Sequence, residues 1–221
     1  MGIYIFKSEV LLRLLEENPG EDFGKHIIPD AISKFHVQAF PFEGYWEDIG
    51  TISSFFKANL ALTSPSSQFN LHDSKNPIYT RPRFLPPSQV ESCQLKNTLL
   101  SDGCQVYGAR MSRCVIGLRS VVRKGAVLDD VIMMGSDYFE DSEEGVRVFT
   151  SLPRGTPRLG IGEGCRIECA IIDKNARIGS KVVINSHKGM ADFESENYVV
   201  KDGIVVIPKN AIIPDGTKII C

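Results

Sequence analysis

Several things that would assign a function quickly are missing from this 221-residue sequence. Its six cysteines, Cys93, Cys104, Cys114, Cys165, Cys169 and Cys221, contain no C-x-x-C pair, and the four histidines do not cluster beside them. That argues against a zinc site. No charge surplus exists either: 25 Lys and Arg face 27 Asp and Glu, a formal net charge of −2. A nucleic-acid binder normally carries a basic excess or stripe, so that class is not expected. No run of eighteen apolar residues occurs, so no helical membrane span is expected. The N-terminal MGIYIF has no arginine-rich or signal-like section ahead of it and reads as a strand from its first residues, as expected of a chain cut inside a domain.

Aromatic residues thin out after about residue 85, where the chain turns aliphatic and rich in glycine. A shift of that kind marks two differently built regions, and the length allows two ordinary domains. Most of the cysteines lie in the second region, next to or between its aliphatic positions, where a small apolar side chain fills a narrow interior. That usage suits a reducing compartment, and Cys221 at the extreme end is expected to be the exposed one.

The second region has a distinct beat. Ile161 and Ile167 are six apart, Ile172 follows after five, and Ile178 and Ile184 continue by sixes. A helix would repeat at three and four and a half-buried strand at two, so a six-residue period indicates a short strand and a corner, stacked coil on coil. Ile116, Val122 and Leu128 keep the same step, as do Ile207, Ile213 and Ile219, and a looser version runs through Val90, Leu95, Leu99 and Val106. Three blocks in one register favour a parallel β-helix over a β-sandwich with irregular strands. Insertions are expected at Ser136–Arg158 and Ser186–Asp202, packed outside the coils.

The first region reads as mixed α and β. Ile3–Phe6 forms a strand, Ser8 caps a helix ended by Asn18-Pro19-Gly20, Asp22 caps a turn broken before Pro29, and Asp30 caps a short helix to Lys34. His36–Phe42 and Tyr45–Asp48 read as paired strands, and Thr51 caps a helix from Ile52 to about Leu62. Prolines and serines then hold the chain extended, so the boundaries fall at 1–63 for the α/β part, 64–89 for a linker and 90–221 for the β-helix.

Chemistry in the first region centres on Glu47 and Asp48. Carboxylates at a strand end before a glycine and a helix cap can hold a hard cation such as Mg²⁺ together with substrate phosphates. An Asp-Ile-Gly turn whose acids merely cap the next helix is an equally good reading of the spacing.

The segments FEGYWEDIGTI, PRFLPP, IGLRS, MMGSDYFE, AIIDKNARIG and DGIVVIPKNAIIPDGT, in that order, resemble the ADP-glucose pyrophosphorylase family, the glucose-1-phosphate adenylyltransferases. The likeness covers nearly the whole chain and is closer to the plant and algal form, with MMGSDYF leaning toward the large, regulatory type of subunit. It implies an enzyme joining ATP and glucose 1-phosphate to give ADP-glucose and pyrophosphate for starch or glycogen. It implies a doubly wound nucleotidyltransferase domain followed by a left-handed β-helix; the handedness comes from the resemblance alone. In it, Asp48 is the catalytic, Mg²⁺-binding aspartate, with Glu47 beside it at the substrate.

The family's G-G-x-G-T-R-L triphosphate loop, its upstream second aspartate and its E-K-P segment do not occur here. The expectation is a C-terminal piece that makes no ADP-glucose alone, because the phosphate cradle is missing. Asp22 to His26 also departs from the family, with a basic or neutral group where an acid is common. Read as residues alone, corner lysines of a β-helix are usually just solvated. The resemblance instead implies that Lys174, Lys209 and Arg83 bind phosphorylated allosteric effectors, a task suited to charge-assisted hydrogen bonds around a dianion. Arg119 and Arg177 are weaker candidates that can pair with Asp129, Asp130 or Asp173.

Two other functions are compatible with the repeats. A hexapeptide-repeat acyltransferase would want a histidine near a coil junction, and none lies between His72 and His187. A non-catalytic module that assembles subunits or binds a phosphorylated metabolite is the second. The resemblance leaves open a homo- or heterotetramer, and a plastid stroma or a bacterial cytoplasm.

Overall fold

The computed structural model describes residues 2–185, 189 and 191–220. The expected exposure of Cys221 and any role of His187 therefore lie outside the described residues. The chain divides into two compact units, Met1–Gly44 and Tyr45–Cys221.

The first unit is helical. It holds α1 (Ser8–Glu17), a π-helical turn (Phe23–Ile27) and α2 (Ile28–Lys34). Leu14, Ile27 and Ala31 form its buried centre, with Phe6, Val10 and Phe35 against them. Asp22 does cap its turn, accepting from the Lys25 backbone N–H at 2.9 Å. Ser8, by contrast, is the first residue of α1 and not its cap, a place taken by Lys7 without a side-chain bond. Pro29 does not break the chain either. It sits in the first turn of α2, where its missing N–H deletes no helical bond, and Asp30 follows inside that turn.

The strands expected at Ile3–Phe6, His36–Phe42 and Tyr45–Asp48 do not form. A strand is stable only beside another edge, and among the described residues of the first unit no strand exists to supply one. Alternating apolar residues are left in water: Ile5 is 98% exposed and Phe40 88%.

The second unit begins with α3 (Ile52–Ala61), whose start is a full capping box. The Thr51 hydroxyl accepts from the Ser54 backbone N–H at 3.1 Å, and the Ser54 hydroxyl accepts from the Thr51 N–H at 3.1 Å. Phe56 of α3 is buried against Ile132, Ile171 and Ile204, so this helix lies on the outer face of the coils. Residues 62–88 form neither helix nor strand.

The coils follow. Strands β1 (Gln89–Glu91), β2 (Gln94–Leu100), β3 (Gln105–Tyr107), β4 (Arg110–Ile116), β5 (Val121–Val122) and β6 (Val127–Met133) precede the first insertion, which carries α4 (Glu143–Thr150). After it come β7 (Gly160–Ile161), β8 (Arg166–Ile172), β9 (Arg177–Ile178) and β10 (Val183–Asn185). The last five are β11 (Phe193–Glu194), β12 (Val199–Lys201), β13 (Ile204–Ile207), β14 (Ile212–Ile213) and β15 (Lys218–Ile220).

One face stacks β1, β3, β5, β7, β9 and β14, and adjacent strands are parallel. The long strands β2, β4, β6 and β8 each serve the other two faces, because β8 pairs with β10 through residues 166–168 and with β13 through 170–172. Three faces and parallel registers define a β-helix. Its interior is three aliphatic columns: Val106, Val122, Ile161, Ile178 and Ile213; Met111, Leu128, Ile167, Ile184 and Ile219; and Ile116, Met133, Ile172 and Ile207, all buried.

The five-residue step also finds its cause. Asn97, Arg113, Asp130 and Cys169 stack at the bend of the long strands, each with φ between 48° and 53°. A single left-handed residue turns that corner, so one position fewer separates the flanking inward side chains. The same rule corrects the looser first coil: Leu100, not Leu99, pairs in register with Ile116 and packs on the core.

The second insertion behaves differently from expectation. It leaves at this corner, between β10 and β13, and returns β12 antiparallel to β13 with Val200 buried, so it extends a face of the helix instead of covering it.

Candidate functional site

The wider corner that follows the long strands carries the cations. Backbone bonds there climb from coil to coil: Arg119 N–H to Asp102 O (3.1 Å), Ser136 N–H to Leu118 O (2.8 Å), Asn175 N–H to Gly135 O (3.1 Å) and Asn210 N–H to Lys174 O (2.9 Å). This ladder sets Lys174 and Lys209 on successive coils, at the same corner. Gly135, between Leu118 and Lys174, is required by closeness: at φ +94°, a Cβ would stand 2.3 Å from the Leu118 carbonyl oxygen.

Between the two lysines stands Asp137, the second residue of the first insertion. Lys174 Nζ donates to its Oδ1 at 2.8 Å, and Lys209 Nζ is 2.9 Å from its Oδ2. Asn175 completes the clasp, its Nδ2 donating to Asp137 Oδ2 at 3.1 Å and its Oδ1 accepting from the Asp137 N–H at 2.8 Å. The hydrogen bonds from Lys174, then Lys209, hold the Asp137 carboxyl well below the usual carboxylate range. The Asp137 bond in turn raises the Lys209 ammonium.

Lys174 and Asp137 also line a groove of about 610 Å³ with Arg81, Arg83, Leu118, Arg119 and Ser136. Arg119 is oriented by the Ser136 carbonyl, to which its Nη1 donates at 3.2 Å, and by the Phe139 ring, 5.6 Å from its guanidinium carbon. The linker brings Arg81 and Arg83, and Arg83 Nη1 donates a long bond to the Arg81 carbonyl at 3.4 Å. The groove is thus a dense cluster of donors with one carboxylate, suited to an anion with several oxygens.

The three residues expected to act on an effector therefore occupy one region: Arg83 and Lys174 line the groove, and Lys209 joins through Asp137. Arg81 and Asp137 join them without a signal in the sequence; Asp137 lies in the MMGSDYFE segment but carries no periodic pattern of its own. Arg177 is elsewhere and differently employed. It is 3% exposed, bonded through Nη1 to Glu140 Oε1 at 2.6 Å and to the Pro157 carbonyl at 3.1 Å, so its partner is Glu140 and not Asp129, Asp130 or Asp173. Asp130 pairs with Arg113 instead.

Glu47 and Asp48 are exposed, and Asp48 Oδ1 accepts from the Gly50 N–H at 2.9 Å, a turn leading into the α3 cap. Among the described residues no group of three His, Cys, Asp or Glu side chains is gathered for a metal. The remaining Asp48 oxygen and Glu47 give one or two hard oxygen donors, a set that fits Mg²⁺ only as a partner to substrate phosphates. The cysteines serve the core: Cys104, Cys114 and Cys165 are buried and Cys93 and Cys169 half-buried, all as free thiols.

A stacked three-faced coil with a basic corner defines a class before it defines a protein. Residues 83–218 match the family described as the GLGC left-handed parallel β-helix domain, and residues 1–65 match the nucleotidyl transferase family. The chain belongs to this family of β-helix proteins, and the handedness of the coils follows from that membership. It is similar to the protein named glucose-1-phosphate adenylyltransferase large subunit 1, chloroplastic/amyloplastic, of Zea mays, with 47% identity over 223 residues. That match takes in 99% of this chain and 43% of the maize protein, so the chain spans somewhat under half of that relative's length.

Proposed function

We propose that the chain serves in a glucose-1-phosphate adenylyltransferase subunit, making ADP-glucose and pyrophosphate from ATP and glucose 1-phosphate in a plastid. In this reading the nucleotidyl transferase segment, residues 1–63, contributes Asp48 to the substrate site, with Mg²⁺ and Glu47 beside it. Residues 64–89 are the linker, and residues 90–221 assemble the subunit with others into a homo- or heterotetramer and bind phosphorylated effectors at Arg83, Lys174 and Lys209. The observation that carries the reading is the 47% identity over nearly the whole chain. The groove's chemistry supports the effector role, since lysines on neighbouring coils and arginines from the linker offer donors on several sides of a phosphate.

The chain's own residues perform limited tasks in that reaction. Asp48 is kept in one turn by the Gly50 N–H, which leaves its other oxygen for an ion. Mg²⁺, when bound, would neutralise charge on the substrate phosphates during the transfer. Arg81, Arg83, Arg119 and Lys174 bind and orient an anion in the groove they line.

The test is an assay of ADP-glucose synthesis with the full-length subunit that contains this chain. Synthesis is expected, and Lys174→Ala and Lys209→Ala should each raise the concentration of a phosphorylated sugar acid needed for half-activation about ten-fold. KM for ATP and for glucose 1-phosphate should stay within about two-fold. No synthesis by any assembly of the full-length subunit would replace the reading with a non-catalytic assembly module. Unchanged activation in both variants would remove the effector site.

A further inference from the structure

Asp137 has no task in the reading above, yet it is the best-bonded side chain of the groove. Its two carboxylate oxygens face two lysines on successive coils at 2.8 and 2.9 Å, with the Asn175 amide adding a third donor at 3.1 Å. Two or three donors around one negatively charged group is the arrangement a phosphate would need at this corner. We infer that Asp137 is a built-in occupant of the anion site, and that a phosphorylated effector binds by exchanging with its carboxylate between Lys174 and Lys209. The inference rests on the effector-site reading of the same corner.

Charge and exposure favour such an exchange. Five cations, Arg81, Arg83, Arg119, Lys174 and Lys209, gather at this corner, where Asp137 is the one carboxylate lining the groove and Asp102 and Asp173 lie beside it, and among the described residues none of the three arginines has an ion-pair partner. The single charge of Asp137 leaves the groove's three arginines without an ion pair, whereas a phosphate dianion with three free oxygens offers more to them. The Asp137 side chain is 37% exposed and its lysines 40% and 50%, so each pair is a solvent-screened contact of modest worth and a released carboxylate returns to water.

The backbone confines the exchange to a side-chain rotation. The Asp137 N–H is held by Asn175 Oδ1, and the Ser136 N–H by the Leu118 carbonyl at 2.8 Å. Glu140, three residues on, is pinned to the buried Arg177. Exchange thus swaps the two ion pairs at the root of the first insertion for contacts to the effector and leaves the Glu140 anchor in place.

The experiment measures inorganic phosphate binding to the full chain by calorimetry, with a thermal melt to verify folding. Asp137→Asn and Asp137→Ala are both expected to bind phosphate about three- to thirty-fold more tightly, the combined worth of two screened ion pairs. Lys174→Ala and Lys209→Ala are expected to bind it more weakly. Asp102→Asn makes the same charge change on the same corner without a lysine contact, and should alter affinity less than about two-fold. If the Asp137 variants bind no more tightly while the lysine variants lose phosphate, the occupant role is overturned and the anion site stands. Equal tightening in Asp102→Asn also overturns it, reducing the effect to net charge. Lysine variants that bind like the wild type overturn the site and the occupant together.

Discussion

Cys114 shows how the coil interior determines a single residue's chemistry. Its thiol points inward, fully buried, and its successors in the same column are Val131, Ala170 and Val205. Burial pushes the thiol up from 9.0 to about 11. The folded chain keeps it protonated where the unfolded chain ionises, so its contribution is complete below pH 9 and is lost as pH rises toward 11. Two units correspond to roughly 3 kcal/mol. Cys114→Val supplies the residue used one coil later, and should cost less than about 1.5 kcal/mol at pH 8. It should also flatten the loss of stability between pH 9 and 11, measured as the denaturant midpoint against pH. A loss as steep as that of the wild type would show that the thiol does not ionise on unfolding in that range. This role was legible in the sequence: cysteines beside hexad positions, without a partner pattern, are core fillers.

At the scale of one element, the first insertion is held by a bond its own sequence does not announce. Glu140 and Arg177 are 37 residues apart, and the pair forms only because the insertion folds back over the coil that bears Arg177. Spacing along the chain suggested nearer acids, since it carries no information on which loop covers which coil. Glu140 also accepts the Leu159 N–H at 2.8 Å, and Phe149 of α4 lies 5.2 Å from the Arg177 guanidinium carbon. Removing one partner of a buried pair strands the other charge, a loss of about 3–5 kcal/mol. Glu140→Ala should therefore speed amide exchange throughout α4 by at least about a hundred-fold while β4, β6 and β8 stay protected, as read by hydrogen exchange with mass spectrometry. Uniform protection in α4 would contradict the anchoring role. The α3 capping box, by contrast, was readable at Thr51 because its partners lie within one turn. The strands expected before Asp48 were misread because alternation describes a half-buried strand only where a neighbouring edge exists.

For the molecule as a whole, the β-helix was the easiest part to see because every coil is local in sequence and each repeats the last. Ile172 sits in register between Met133 and Ile207, fully buried, and each coil leans on its neighbours alone. Ile172→Ala is expected to destabilise the β-helix by about 2–5 kcal/mol, seen as a lower urea midpoint with an unchanged slope. A loss below about 1 kcal/mol would mean that the coils relax around the cavity. The anion site was legible only in part, because it draws on two coils, an insertion and a linker. The resemblance named Arg83, Lys174 and Lys209; the carboxylate between the lysines became visible only when the coils were stacked.

One consequence lies in the hairpin of β11 and β12. A β-helix is in principle endless, since the top of one copy matches the bottom of another and copies can pile into a fibre through their open edges. Here one face ends in an antiparallel hairpin whose outermost strand, β11, is only two residues long, exposed and charged at Glu194, so a second copy arriving at that face would find almost no edge to pair with. The insertion that closes the final coil therefore also works as a terminator, sparing a protein made of repeating units from unlimited growth at that end.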